Sequence, residues 1–223
     1  MRIEDVLLPA LLAQISRPAA DWLSAARERA ASGAVPELLR SYTEASRYLG
    51  TQRFALRPPM ASPGEAGDWN HLTLEDVGRL LLLTARSQSP ADDAAAIECF
   101  EQGDTREQQS WMRTVAWLPQ PERFLPIVID TCRTNILPLF EAVACENLYP
   151  ATYFPERNLN QVVLKALFNR IALTRIVGLD RRRNAELSRM AADYAAERRA
   201  AGRSVPEDIA LAMLDAAAQR THA

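Results

Sequence analysis

Residues 73–85 read TLEDVGRLLLLTA. Thr73 precedes an apolar run and Asp76 follows three positions later, which approximates a capping box and predicts a helix start. Leu74, Val77, Leu80, Leu81, Leu82, Leu83 and Ala85 leave this helix apolar nearly all round. A helix with no wide polar face must be covered on most sides, so this one is predicted to be central.

The rest of the chain supplies the cover as further helices. Ile3, Val6, Leu7, Leu11 and Ile15 recur at helical spacing across 3–15. Ser16 and Pro18 open a second helix that Gly33 ends, and Pro36 opens a third that runs to Gly50. Residues 91–102 form a short amphipathic helix ending at Gly103, and Asp104 with Glu107 makes a second capping box. Helices follow over 105–117, 121–132, 135–146, 158–169, 184–201 and 206–219, with Ser204 and Glu207 capping the last. No segment pairs credible strand alternation with a hairpin turn. The fold class is therefore all-α, with about ten helices as stacked helical hairpins, HEAT-like or as an irregular α-bundle. The 223 residues are read as a single domain, 1–223. A long loop, 51–71, rich in Pro and Gly, links an N-terminal helical part to the main stack.

Composition narrows function mainly by exclusion. A formal net charge of −2 gives no global attraction to nucleic acid or to an anionic membrane. Cys99, Cys132 and Cys145 form no close pair and read as buried thiols of a reducing compartment. Glu4 and Asp5 stand where a secretory signal needs positive charge, and no apolar run approaches the roughly 20 residues that span a bilayer. The expectation is a soluble cytoplasmic protein that does not insert into membranes. The two histidines, His71 and His222, rule out a His-rich metal site, and no phosphate-cradling or nucleophile-elbow motif occurs. No metal and no cofactor is expected.

One stretch stands apart. Residues 146–168 read ENLYPATYFPERNLNQVVLKALF, a polar and aromatic loop feeding an apolar helix that carries Lys165. Asn158 is a plausible N-cap for that helix, which leaves Asn160 and Gln161 to pin the loop or to bind a polar ligand group. Lys165 reads as ion-paired or solvent-directed; the alternative is a desolvated amine beside Glu141 or Glu146. Arg181, Arg182 and Arg183, with Arg170, Arg175, Arg189, Arg198, Arg199 and Arg203, make the C-terminal third basic. These arginines are either paired with neighbouring acids or form an anion-binding face.

The run Asn160–Phe168, NQVVLKALF, together with Asn147, Tyr149 and Pro150, resembles the EboA family. CRTNILPLFEAVA (132–144) and RIVGLDRRRNAELSRMAADYAAERRAAGR (175–203) are similar to it as well, and Leu148 stands where the family pattern has a proline. The resemblance implies a cytoplasmic, non-enzymatic scaffold or binding protein in the traffic of a secondary metabolite or its precursor. It implies as partners a small-molecule metabolite or isoprenoid-type lipid, and other proteins of the same gene cluster, including a prenyltransferase-like membrane protein. The expected ligand-binding residues are Asn147, Tyr149, Tyr153, Asn160, Gln161, Lys165 and Arg181, with aromatic stacking from the tyrosines and an anion contact from the arginine. Two other functions stay open. One is an enzyme acting on the trafficked metabolite through Lys165 and a nearby carboxylate. The other is a protein–protein adaptor docking through the 51–71 loop, with Trp69 and the prolines as its contact segment.

Overall fold

The computed structural model describes residues 3–56, 69–86 and 90–214. Among these the chain is all-α: twelve α-helices, ten of them seven residues or longer, and no strand beyond a single isolated bridge between Arg53 and Thr73. The helices are α1 (Ile3–Leu12), α2 (Arg17–Ser32), α3 (Val35–Leu49), α4 (Leu74–Arg86), α5 (Pro90–Glu101), α6 (Thr105–Thr114), α7 (Leu125–Thr131), α8 (Leu137–Ala144), α9 (Tyr149–Tyr153), α10 (Glu156–Phe168), α11 (Leu179–Arg182) and α12 (Ala185–Ala200). The chain divides into two compact units, Met1–Ala142 and Val143–Ala223. None of the described helices is long and apolar enough to cross a membrane.

In the N-terminal unit α4 is the hub. It packs against α1, α2, α3 and α6. In a solenoid each repeat meets its sequence neighbours alone. A hub with four partners makes this unit an irregular bundle, the second of the two architectures expected. Gly78 lets α3 come close: a Cβ there would sit 2.0 Å from a methyl of Leu49. The start signals act as read. Thr73 and Asp76 exchange hydrogen bonds, Thr73 N–H donating to the Asp76 carboxylate and Asp76 N–H to the Thr73 hydroxyl. Asp104 and Glu107 form the full capping box of α6, and Ser16 caps α2.

The surroundings of α4 correct the reading of its sequence. Glu75, Asp76 and Arg79 are buried along with its leucines. Arg79 donates to Glu75 at 3.0 Å and to the Tyr42 carbonyl at 3.0 Å, and lies over the Tyr42 ring. Arg106 reaches the other oxygen of Glu75 at 2.7 Å, Arg113 reaches Asp76 at 3.4 Å, and Glu107 stands 4.0 Å from Arg79. Arg79, Arg106 and Arg113 thus balance Glu75, Asp76 and Glu107. Buried charges persist where they are paired in this way.

The flanks of the long loop are ordered parts of this bundle. Phe54 N–H donates to the Leu72 carbonyl and Leu74 N–H to the Gln52 carbonyl. Trp69 is buried and stacks on Trp117 with ring centres 4.0 Å apart. Trp69 is therefore core, not part of an exposed docking segment; residues 57–68, with Pro58, Pro59 and Pro63, lie outside the described residues.

In the C-terminal unit α10 packs on α12, and a 3-10 turn at Glu207–Ala212 packs on α11 and α12. That turn stands where an α-helix over 206–219 was expected, and residues from 215 onward are not described. Pro206 is its N-cap and Ser204 lies outside it, so the expected Ser204–Glu207 capping box does not form there. The expected loop at 149–153 is instead the short helix α9, with Pro150 at its first turn, where a missing N–H costs nothing.

Candidate functional site

The polar stretch 146–168 is largely occupied by its own hydrogen bonds. Asn147 is buried and its side-chain carbonyl accepts from Tyr149 N–H at 2.9 Å. Tyr149 is wholly buried, its ring 4.7 Å from that of half-buried Tyr153 and 6.1 Å from that of Phe154. Asn160 is buried and exchanges two amide hydrogen bonds with Asn184, at 3.1 and 2.9 Å. Asn184 in turn caps α12 by accepting from Leu187 N–H at 2.8 Å. Helix α10 begins at Glu156 after Pro155, with no side-chain cap, so Asn158 is not its N-cap. Gln161 and Arg181 are exposed and Lys165 is half-buried. The structure thus brings Asn147, Tyr149 and Tyr153 together and joins Asn160 to Asn184. Gln161, Lys165 and Arg181 remain at or near the surface.

The arginines divide in the same way. Arg175 grips both carboxylate oxygens of Glu146, at 2.7 and 3.0 Å, and its carbonyl accepts from Glu146 N–H. Arg182 donates to the carbonyls of Ala151 and Phe154, tying α11 to the end of α9. Arg189 pairs with Glu186 and Asp193. Among the described residues Arg170 and Arg198, like Arg181, Arg199 and Arg203, have no carboxylate partner.

Arg170 and Arg198 border the same cleft. It has a volume of about 450 Å³ and lies entirely within the C-terminal unit. Leu167, Ile171 and Tyr194, all buried, form its apolar wall. Thr174, Ser204, Glu207 and Asp208 join the two arginines around it. Tyr194 donates its hydroxyl to the Leu167 carbonyl at 3.3 Å, leaving its ring to the cleft and to an edge contact with exposed Phe168. Arg198 donates through Nε to the Ser204 carbonyl at 2.9 Å and stands 5.9 Å over the Tyr194 ring. Asp208 turns its carboxylate onto Leu173 N–H. A pocket of a few hundred Å³ in which polar groups converge on an apolar wall can hold a small molecule; here the rim is more polar than in most such sites.

The N-terminal unit carries a smaller groove of about 320 Å³, bordered by Trp22, Arg40, Glu44 and Tyr48. There Arg40 and Glu44 already form an ion pair at 2.9 Å, and Trp22 and Tyr48 stack 4.6 Å apart. Arg29 and Glu37 also border it, and the buried Nε1 of Trp22 has no hydrogen-bond partner among the described residues, so only the Arg40–Glu44 and Trp22–Tyr48 pairs are internally matched.

In the sequence Arg170 and Arg198 are two among many basic residues, and their 28-residue separation does not show that they share a cleft. One local signal existed. The run Phe168-Asn169-Arg170-Ile171 ends α10 with no glycine where many helix C-termini have one.

A sequence-family model described as "Metabolite traffic protein EboA" matches residues 3–213 of the chain. Neither a curated protein nor a solved structure matches it.

Proposed function

The chain belongs to the EboA family, and from that premise we propose that it binds a small metabolite in the cleft of its C-terminal unit. The family's description supplies the metabolite and its traffic; the cleft supplies a place to hold the molecule. In this reading the protein is a cytoplasmic carrier that holds its ligand without transforming it and hands it to a membrane-protein partner. The observation that carries it is the pairing of a buried apolar wall, Leu167, Ile171 and Tyr194, with two guanidinium groups that have no acid partner among the described residues. Asn147, Tyr149 and Asn160 do not line this cleft, and in this reading they serve the packing of the unit, because their polar atoms or rings are committed to neighbours.

The test is to fill the cleft. Ala172 is exposed and borders it, so Ala172→Trp adds bulk there without disturbing the core. In cells that carry out the traffic, this variant accumulates to normal levels and melts like the wild type, but metabolite traffic is lost. Unchanged traffic in a folded Ala172→Trp variant overturns the reading.

A further inference from the structure

Arg170 occupies an expensive backbone position. Helix α10 ends in a Schellman arrangement: Ile171 N–H donates to the Ala166 carbonyl at 2.9 Å, and Arg170 N–H to the Leu167 carbonyl at 3.1 Å. This motif requires a left-handed residue at its turn, a place that glycine fills without cost. Here the residue is Arg170, with φ 58°. Glu146 is also left-handed, at φ 50°, but its carboxylate is held by both nitrogens of the Arg175 fork. Neither Arg170 nor Gln120, also left-handed at φ 50°, has such compensation among the described residues, and of the two only Arg170 borders the cleft. The Schellman bonds account for the left-handed backbone but not for an arginine in place of glycine, and such a choice is a place to look for function.

Its position in the cleft suggests what that function is. Arg170 and Arg198 both face a cavity whose wall is apolar and aromatic. Arg198 spends Nε on a carbonyl, which leaves its outer nitrogens without a charged acceptor. Of the two acids nearby, Asp208 is bonded to the Leu173 amide, and exposed Glu207 forms no ion pair with either arginine. We infer that the ligand is a small amphipathic acid: a planar or aliphatic body against Leu167, Ile171 and Tyr194, and a carboxylate, sulfonate or phosphate between Arg170 and Arg198. Guanidinium groups suit such heads because their planar forks bond two oxygens at once. This inference rests on the reading of the cleft as the metabolite site and names the ligand class it takes.

Two fluorescent probes with one body separate the two claims: anionic 8-anilinonaphthalene-1-sulfonate and uncharged N-phenyl-1-naphthylamine. The wild-type protein should bind the sulfonate about tenfold more tightly, the ratio expected of one charge-assisted contact. Arg170→Gly should erase most of that preference while raising the melting temperature, because glycine relieves the left-handed strain. Arg198→Gln should erase the remainder, and Glu207→Gln should tighten sulfonate binding. Ala172→Trp should abolish binding of both probes. If Ala172→Trp blocks both probes but the wild type binds them equally, the cleft stands and the acid inference falls. If the sulfonate preference survives in the Arg170→Gly, Arg198→Gln double variant, the inference also falls. Inorganic phosphate that displaces the sulfonate at comparable concentration overturns the apolar-body half. Binding of both probes unaffected by Ala172→Trp overturns the cleft itself.

Discussion

Asn184 shows how one side chain can hold two elements. Its carbonyl oxygen accepts from Leu187 N–H at the start of α12 and from the Asn160 amide on α10, and its own amide donates back to Asn160. Asn184→Ala therefore removes a helix cap, about 1 kcal/mol, and also strands the buried Asn160 amide, about 1–3 kcal/mol more. Urea unfolding should show Asn160→Ala and Asn184→Ala each destabilising, and the double variant costing clearly less than their sum. Additive losses would show that the amide pair does not couple the helices. Cys99 offers a different residue-scale prediction. Burial pushes its thiol from the ordinary 9.0 up to about 12. Across that window the unfolded chain loses a proton that the folded chain keeps. Stability is therefore intact below about pH 9 and falls as pH rises towards 12, by up to about 1.4 kcal/mol per pH unit. Burial raises the Tyr42 phenol as well, which adds to the loss at the alkaline end. Denaturant midpoints measured from pH 8 to 11 should decline, and more shallowly in Cys99→Ala.

At the scale of the element, α4 carries the strongest demand. Its position at the centre of the N-terminal unit was legible from TLEDVGRLLLLTA, because leucines on nearly every face leave no solvated side. The buried charges were not legible. Arg79 lies four residues after Glu75 and three after Asp76, and a local ion pair on a solvated face has the same spacing. Burial is decided by Arg106 and Arg113 on α6 and by Tyr42 on α3, all more than 25 residues away. Arg79→Met should cost about 3–5 kcal/mol in urea unfolding, since it leaves Glu75 and Glu107 buried with less positive charge. Arg133→Met, which breaks an exposed pair with Asp130, should leave the unfolding midpoint unchanged. Similar midpoints for the two variants would contradict the buried network. Helix ends were read best where a side chain acts on its own backbone, as at Ser16, Thr73 and Asp104. They were read worst where proline geometry decided, as at Pro150 and Pro155, where a loop was expected and α9 and the start of α10 stand.

At the scale of the whole chain, the all-α class followed from helical periodicity and the scarcity of strand signals, and the family match spans 3–213. The candidate site was legible only in outline. A polar cluster signals buried hydrogen bonding as readily as ligand contact, and Asn147 and Asn160 are both buried and make hydrogen bonds within the fold. The cleft is assembled from the end of α10, the turn after it, α12 and the segment 204–208. No single window of sequence contains those parts, so spacing rules could not find it. The central claim is that this cleft holds the trafficked metabolite. Native mass spectrometry of the protein purified from cells producing that metabolite tests it most directly, with wild type and Ala172→Trp prepared side by side. The account predicts a small-molecule adduct of one mass on the wild-type protein and its absence from the folded variant; the same adduct at equal occupancy on both would contradict it.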